Sequence, residues 1–397
     1  MIEIQSLRLK RHEEKRLQSG HLWIYSNEVN TQETPLQHFK AGEQVRVEAH
    51  NGKLLGTAYV NPRSLICARL VSRDHRLLDL DLLVQRLGQA LKLRTLLFDE
   101  PYYRLVYGES DLLPGLVVDR FGPHLSVQLN TAGMDGLKGQ VVDALQKVVA
   151  PESILLRNDS SIRTLEGLPQ EIEMAWGKTP DEVELLENGV RMLAPLHHGQ
   201  KTGWFYDQRP NRAWLRRYVP GKRVLDVFSY VGSFAVQAAV FGAREVVAVD
   251  ASRPALAMAE KNADLNGVGK ILSEIEGDAF EVLKGLKADG ERFDVVIVDP
   301  PAFIKRKKDH KEGLRAYHRI NELAMQLLPA DGILLTASCS MHLDRQELQD
   351  ALRSAAERQN RHLQILMEGM QGPDHPVHPA IPETRYLKAF LARVSER

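Results

Sequence analysis

The chain has 397 residues, 43% hydrophobic and 26% charged, with 52 Lys plus Arg against 52 Asp plus Glu and a formal net charge of zero. That balance is globular and exceeds one ordinary core, so two or three domains are expected and a disordered chain is excluded. Overall charge gives no argument for a nucleic-acid partner, and local charge has to carry any such reading.

Two cysteines, Cys67 and Cys339, are too few for a disulfide framework or for a four-ligand zinc or iron–sulfur site. A reducing, cytoplasmic compartment is therefore expected. The opening "MIEIQSLRLKRHEEKRL" lacks the apolar centre of a signal peptide. No run reaches the roughly 18 apolar residues of a membrane span, so no membrane partner is expected.

In chain order, residues 1–73 read as a small β-rich unit in which "LWIYSNEV", "GEQVRVEA", "LLGTAYV" and "LICARLV" are short strands between Gly, Pro and Asn signals. Its opening carries Arg8, Lys10, Arg11, Lys15 and Arg16 beside Glu13 and Glu14, either a solvated helix face or a phosphate-contacting one. Residues 74–188 read as a middle α+β unit. The helical stretch "LDLDLLVQRLGQALKLRTLL" leads into three strands within "YRLVYGESDLLPGLVVDRFGPHLSVQLN", then a helix at about 135–149 and the strand "SILLRND". From 189 to 397 the pattern changes to apolar runs, "KRVLDVFSY", "EVVAVDAS", "FDVVIVDPP" and "GILLTASCS", with helical segments between them. That alternation predicts an α/β domain with a parallel sheet wrapped by helices. Ser252 is expected to cap the helix after the second run, Pro254 to sit in its first turn, and Asn266-Gly267 to stop it.

Ligands of an open α/β sheet bind outside the carboxyl ends of its strands. Here those ends carry Asp226 with Ser229 and Gly232, then Asp250, Asp278 and Asp299. One strand-end aspartate can equally be a helix cap. Four in order across successive strands point to a nucleoside. Gly232 is the only glycine in the first turn, so the dinucleotide G-x-G-x-x-G pattern fails. Asp250, about 24 residues past Asp226, suits ribose hydroxyls, and Asp278 an adenine amino group.

The order Asp226 to Gly232, Asp250, Gly277-Asp278, Asp299-Pro300-Pro301 and Ser338-Cys339-Ser340 resembles the class I S-adenosylmethionine-dependent methyltransferases. More narrowly, "GHLWIYSNEV", "YGESDLLPGLVVDRFG" and "HHGQKTGWFYDQRPNR" resemble the ribosomal RNA large subunit methyltransferase I family, which acts on cytosine C5. The resemblance implies a PUA-like RNA-binding domain, the middle domain, and a Rossmann-like domain with a mostly parallel seven-stranded sheet. It implies S-adenosyl-L-methionine as cofactor, large-subunit (23S) ribosomal RNA as partner, and leaves a homodimer open. The implied cofactor residues are Gln208, Arg209, Asp226, Phe228, Ser229, Gly232, Asp250, Ala251, Asp278, Ala279 and Asp299.

Carbon 5 of cytosine is a poor nucleophile until a thiolate adds to C6, and Cys339 is expected to supply it. A lone cysteine is otherwise a small buried thiol, the reading that Cys67 receives. Asp299 is expected to hydrogen-bond the target base, Pro300 and Pro301 to fix the backbone beside it, and Phe303 either to stack on the flipped base or to pack in the core. Lys305 and Arg306 lead the basic run "KRKK", a phosphate-holding loop or a solvated one. Glu383 and His375 are weak candidates for the C5 proton acceptor. The histidine pairs His197-His198 and His375 with His378 lack a third ligand for a metal. Ala302 stands where many RNA cytosine methyltransferases carry a second cysteine.

Three rival functions stay open. Uridine-C5 methylation uses the same thiolate chemistry, but several such enzymes hold a cysteine-ligated iron–sulfur cluster. Purine N-methylation would leave Cys339 structural. A non-catalytic RNA-binding protein would have lost the strand-end acids, all of which are present.

Overall fold

The computed structural model describes residues 4–74 and 76–397. The first three residues of the expected N-terminal domain, and His75 in the expected middle one, lie outside them. The chain forms two compact units.

One unit runs to Val183 and takes in Ala194–Tyr206 and Pro373–Thr384. It holds a five-stranded sheet in the order Ser6–Arg8, Gln44–Glu48, Leu54–Val60, Ile66–Ser72, Trp23–Tyr25. Leu7, Ile24, Val45, Val47 and Cys67 fill its core. A second five-stranded sheet runs in the order Glu171–Gly177, Ser153–Asn158, His124–Leu129, Leu116–Phe121, Tyr102–Tyr107. Helix Leu80–Leu97 begins where Asp79 accepts a hydrogen bond from the Leu82 amide, and it buries Leu83, Leu87 and Ala90 at helical spacing. The helix expected at about 135–149 is present as two pieces, Ala132–Gly136 and Lys138–Val149.

The other unit, Glu184–Leu193 with Asp207–Gly372 and Arg385–Arg397, carries the strand-end acids. Its sheet is built from β1 (Arg223–Val227), β2 (Glu245–Asp250), β3 (Leu272–Glu276), β4 (Val295–Val298), β5 (Gly332–Ser338), β6 (Arg361–Gly369) and β7 (Lys388–Glu396). The strand order is β3-β2-β1-β4-β5-β7-β6, with only β7 antiparallel to its neighbours. Between the strands lie α1 (Ser233–Val240), α2 (Arg253–Leu265), α3 (Ala279–Ala288), α4 (His310–Gln326) and α5 (Arg345–Arg358).

The strand residues alternate between two cores. Val224, Val246, Val295 and Leu335 pack with Phe234 and Ala238 of α1 and Leu256 of α2. Leu225, Val247, Val296 and Leu334 pack with Leu283 of α3, Tyr317 and Ile320 of α4, and Leu352 of α5. Burial on both faces explains why these strands read as unbroken apolar runs, each buried Val, Leu or Ile contributing roughly 1.5–3 kcal/mol. The α2 boundaries follow the expected signals: the Ser252 hydroxyl accepts from the Ala255 amide, and Gly267 turns the chain with φ of 70°. Among the described residues, no helix is long and apolar enough to cross a membrane.

Candidate active site

At the end of β1 the chain turns sharply into α1. Phe228 (φ 67°), Tyr230 (φ 50°) and Gly232 (φ 77°) all lie in the left-handed region. For the two aromatic residues this costs on the order of 1–2 kcal/mol each, offset by bonds to β2. The Ser229 amide donates to the Val249 carbonyl (3.0 Å) and the Tyr230 amide to Asp250 Oδ2 (2.9 Å). Gly232 is required on two counts, since a Cβ there would also stand 2.8 Å from that of Ala259 on α2.

Asp226 is buried beneath this turn. Its Oδ2 accepts from the Ala235 amide (2.9 Å), tying β1 to the first turn of α1. Its Oδ1, like the Ser229 hydroxyl, is buried with no hydrogen-bond partner among the described residues. Burial, with the nearby Asp299 and Asp250 carboxylates acting in the same direction, pushes the Asp226 carboxyl up to about 8. Asp250 ends β2 with Oδ1 accepting from the Ser252 amide (2.9 Å) and Oδ2 from Tyr230, which fixes its orientation and leaves a second lone pair on each oxygen. Asp278 is exposed and caps α3, its Oδ1 accepting from the Phe280 and Glu281 amides (3.0 and 3.2 Å). Ala251 is exposed after β2, and Ala279 is buried in the first turn of α3.

Asp299 follows β4 directly. Gln208 Nε2 donates to its Oδ1 (2.9 Å), and Asn211 Nδ2 donates to Gln208 Oε1 (2.6 Å). This relay of amides holds the carboxylate in place, and Asn211 is a member that sequence reasoning missed. Arg209 Nε lies 3.5 Å from Glu187, a carboxylate that also binds Arg212 (2.5 and 3.0 Å) and Gln237 (2.9 Å).

Pro300 is buried and Pro301 exposed. Phe303 is half-buried in an aromatic cluster with Tyr317 (centroids 4.9 Å), Phe280 (6.1 Å) and Phe228 (6.3 Å), so much of its surface is spent on packing. Lys305 and Arg306 are exposed, and Arg306 Nε pairs with Asp309 (2.9 Å).

Cys339 comes one residue after β5 and is half-buried; like Trp214 and Tyr386 it packs against the small cluster of Ala337, Leu387 and Ala389. The parallel register pairs Val298 of β4 with Thr336 of β5, so Cys339 and the Asp299-Pro300-Pro301 turn emerge from adjacent strands at the same sheet edge. The two turns are bonded together: the Ile304 amide donates to Ser340 Oγ (3.1 Å), which also meets the Tyr317 hydroxyl (2.9 Å). Glu383 and His375 belong to the other unit, where His375 Nδ1 is 3.0 Å from Asp374. Lys388 was missed. It opens β7, buried, with Nζ donating to the Ser340 carbonyl (2.6 Å) and the Tyr386 carbonyl (2.8 Å). The signal was a lone lysine heading the apolar run "KAFLARV".

Residues 7–73 match the family of PUA-like domains, and residues 156–393 the family of S-adenosylmethionine-dependent methyltransferases. Proteins named ribosomal RNA large subunit methyltransferase I from Shigella boydii, Erwinia tasmaniensis and Escherichia coli are 38% identical over 392 residues, covering 97% of this chain and 98% of theirs. Among solved structures, a candidate SAM-dependent methyltransferase from Streptococcus mutans aligns over 98% of this chain and all of its own, with a TM-score of 0.83 at 21% identity. A second, solved with S-adenosylhomocysteine, gives a TM-score of 0.85 over the same shares at 21% identity. The expected fold, a PUA-like domain preceding a Rossmann-like methyltransferase domain, is therefore present.

The residues fit the cofactor of that family. S-adenosylmethionine carries a sulfonium and an ammonium, and the clustered acids Asp226, Asp250 and Asp299, whose repulsion helps keep Asp226 protonated, favour a cationic guest. The buried Asp226 Oδ1 and Ser229 hydroxyl offer hydrogen bonds. From a PUA-like segment, a methyltransferase domain matched over most of its length, and relatives alike from end to end, this chain belongs to the ribosomal RNA large subunit methyltransferase I family and is a S-adenosylmethionine-dependent methyltransferase.

Proposed function

We propose that this protein methylates carbon 5 of a cytosine in large-subunit ribosomal RNA through a covalent bond between Cys339 and C6 of the base. The observation that carries the reading is the half-buried Cys339 at the end of β5, beside the Asp299-Pro300-Pro301 turn to which its loop is bonded. The relatives' name supplies the RNA class.

When bound, S-adenosylmethionine supplies an electrophilic methyl group. Asp226, Ser229 and Asp250 would hold it. The Cys339 thiolate adds to C6 of the cytosine, and the displaced electron pair makes C5 nucleophilic. Once C5 has gained the methyl group, it loses its proton to a base, the C6–S bond breaks, and the sulfur leaves as the thiolate it was. Asp299, fixed by Gln208, is an acceptor suited to the exocyclic amine of cytosine, whereas the O4 of uracil at that place would face a like partial charge. The reacting base has to leave any helix to reach the sulfur.

The test is a large-subunit RNA carrying 5-fluorocytosine, whose C5 fluorine cannot leave as a proton does. An adduct that survives denaturation and maps to Cys339 by mass spectrometry is expected, with 5-methylcytosine as the product on ordinary RNA. Methyl transfer to uracil C5 or to a purine nitrogen, with no adduct on the cytosine analogue, overturns the proposal.

A further inference from the structure

A lysine that is only 7% exposed is unusual, because an ammonium is seldom buried unless paired. Lys388 stands opposite Ser338 in the antiparallel pairing of β5 with β7. Two of its three N–H donors are spent on carbonyls, and each belongs to the surroundings of Cys339. One is that of Ser340, the next residue along the chain; the other is that of Tyr386, which like Cys339 packs on the cluster of Ala337, Leu387 and Ala389. Carbonyl dipoles solvate the cation without neutralising it. Burial pushes Lys388 down to about 8, and the strongest opposing influence is the negative charge of the Cys339 sulfur. Arg345 acts on Lys388 in the same direction as burial, Asp344 and Glu347 of the α5 start against it. On the α4 side Tyr317 is held neutral by burial, to which the Cys339 sulfur adds.

We propose that Lys388 is a positioning residue for Cys339, its ammonium pinned between two carbonyls so that the sulfur is held as a thiolate between turnovers. This rests on Cys339 being the nucleophile. The thiol proton goes to solvent and Lys388 keeps its own, so the pair carries no net charge. When the C6–S bond breaks, the sulfur returns to the same cation, and no proton is needed to release it.

Iodoacetamide alkylation of the full-length protein, followed peptide by peptide in mass spectrometry, reads the ionisation of Cys339 without any RNA. The wild-type rate should titrate with a midpoint clearly below the ~8.5 of a free thiol. Lys388→Gln, which keeps donors for the carbonyls but not the charge, should move the midpoint up by a unit or more and slow alkylation at pH 7 about tenfold. Lys388→Arg should restore most of it. A wild-type midpoint at or above that of a free thiol overturns the proposal even if the variants fail to fold. So does a Lys388→Gln profile that overlays the wild type while S-adenosylmethionine binding is intact. Should Cys339→Ala still methylate RNA, the nucleophile reading fails in a separate measurement while the alkylation profiles stand by themselves.

Discussion

Cys67 lies inside the strand Ile66–Ser72 with no exposed surface, while Cys339 lies one residue beyond β5 and is half-buried. Both belong to apolar stretches, and neither forms a disulfide. Around Cys67 are Leu7, Ile24 and Val45, and burial pushes its thiol up to about 12, so that almost none ionises at neutral pH. Cys339 shares the small cluster of Ala337, Leu387 and Ala389 with Trp214 and Tyr386, and its sulfur favours the protonated form of Lys388. The difference is one of position along a strand. In mid-strand a side chain is committed to a core, whereas past the carboxyl end it stands where α/β sheets bind ligands.

The largest effect expected from breaking this contrast is at Cys339. Cys339→Ala should lower methyl transfer at least ~10³-fold, with S-adenosylmethionine affinity retained in calorimetry. Cys67→Ala should leave methyl transfer unchanged and lower unfolding free energy by roughly 1–2 kcal/mol, the ordinary cost of removing a buried side chain. Activity retained in the first variant, or lost from a folded second one, would erase the distinction between the two thiols.

The acidic end of the sheet sharpens it next. Asp226 has a folded-state value of about 8, above that of an ordinary carboxyl. Between about pH 4 and that value the folded protein therefore holds a proton that the unfolded chain releases, and stability falls as pH rises through the window. The slope contributed is up to about 1.4 kcal/mol per pH unit. Asp226→Asn should flatten it in denaturant titrations of the cofactor-free protein at pH 5 and pH 7.5. Equal slopes in the two proteins would mean that Asp226 is ionised throughout.

The same position argument separates what could be read in the sequence from what could not. β1, β2, β4 and β5 announce themselves because helices cover both their faces. β3, "LSEIE", and β6, "RHLQILMEG", lie at the sheet's edges with alternating or polar side chains, and β7 reverses direction for reasons set by its neighbours rather than by its own residues. The placement of Asp226, Asp250 and Asp299 at strand ends was legible because each closes an apolar run. That Asp278 spends an oxygen capping α3, and that Phe303 packs into an aromatic cluster, required coordinates. So did the left-handed Phe228 and Tyr230, since no glycine marks those positions. Lys388 is buried only because β7 pairs with β5, some 50 residues earlier in the chain, a long-range fact that local pattern cannot hold.

The smallest expected effects lie on the loop after β4, at the same open edge. If Lys305 meets an RNA phosphate, Lys305→Ala should weaken binding about two- to fivefold and reduce the slope of log affinity against log salt by about 1. Arg306 is engaged by Asp309 in an exposed, solvent-screened pair, so the guanidinium has to trade one anion for another and Arg306→Ala should cost less. Asp309→Ala then separates the two uses of this loop, because it removes a carboxylate that competes with phosphate. Filter binding across a salt series should show tighter association and a steeper slope for that variant. A solvated loop would leave all three unchanged, and the sheet's open edge would then owe its role to Cys339 and the strand-end acids alone.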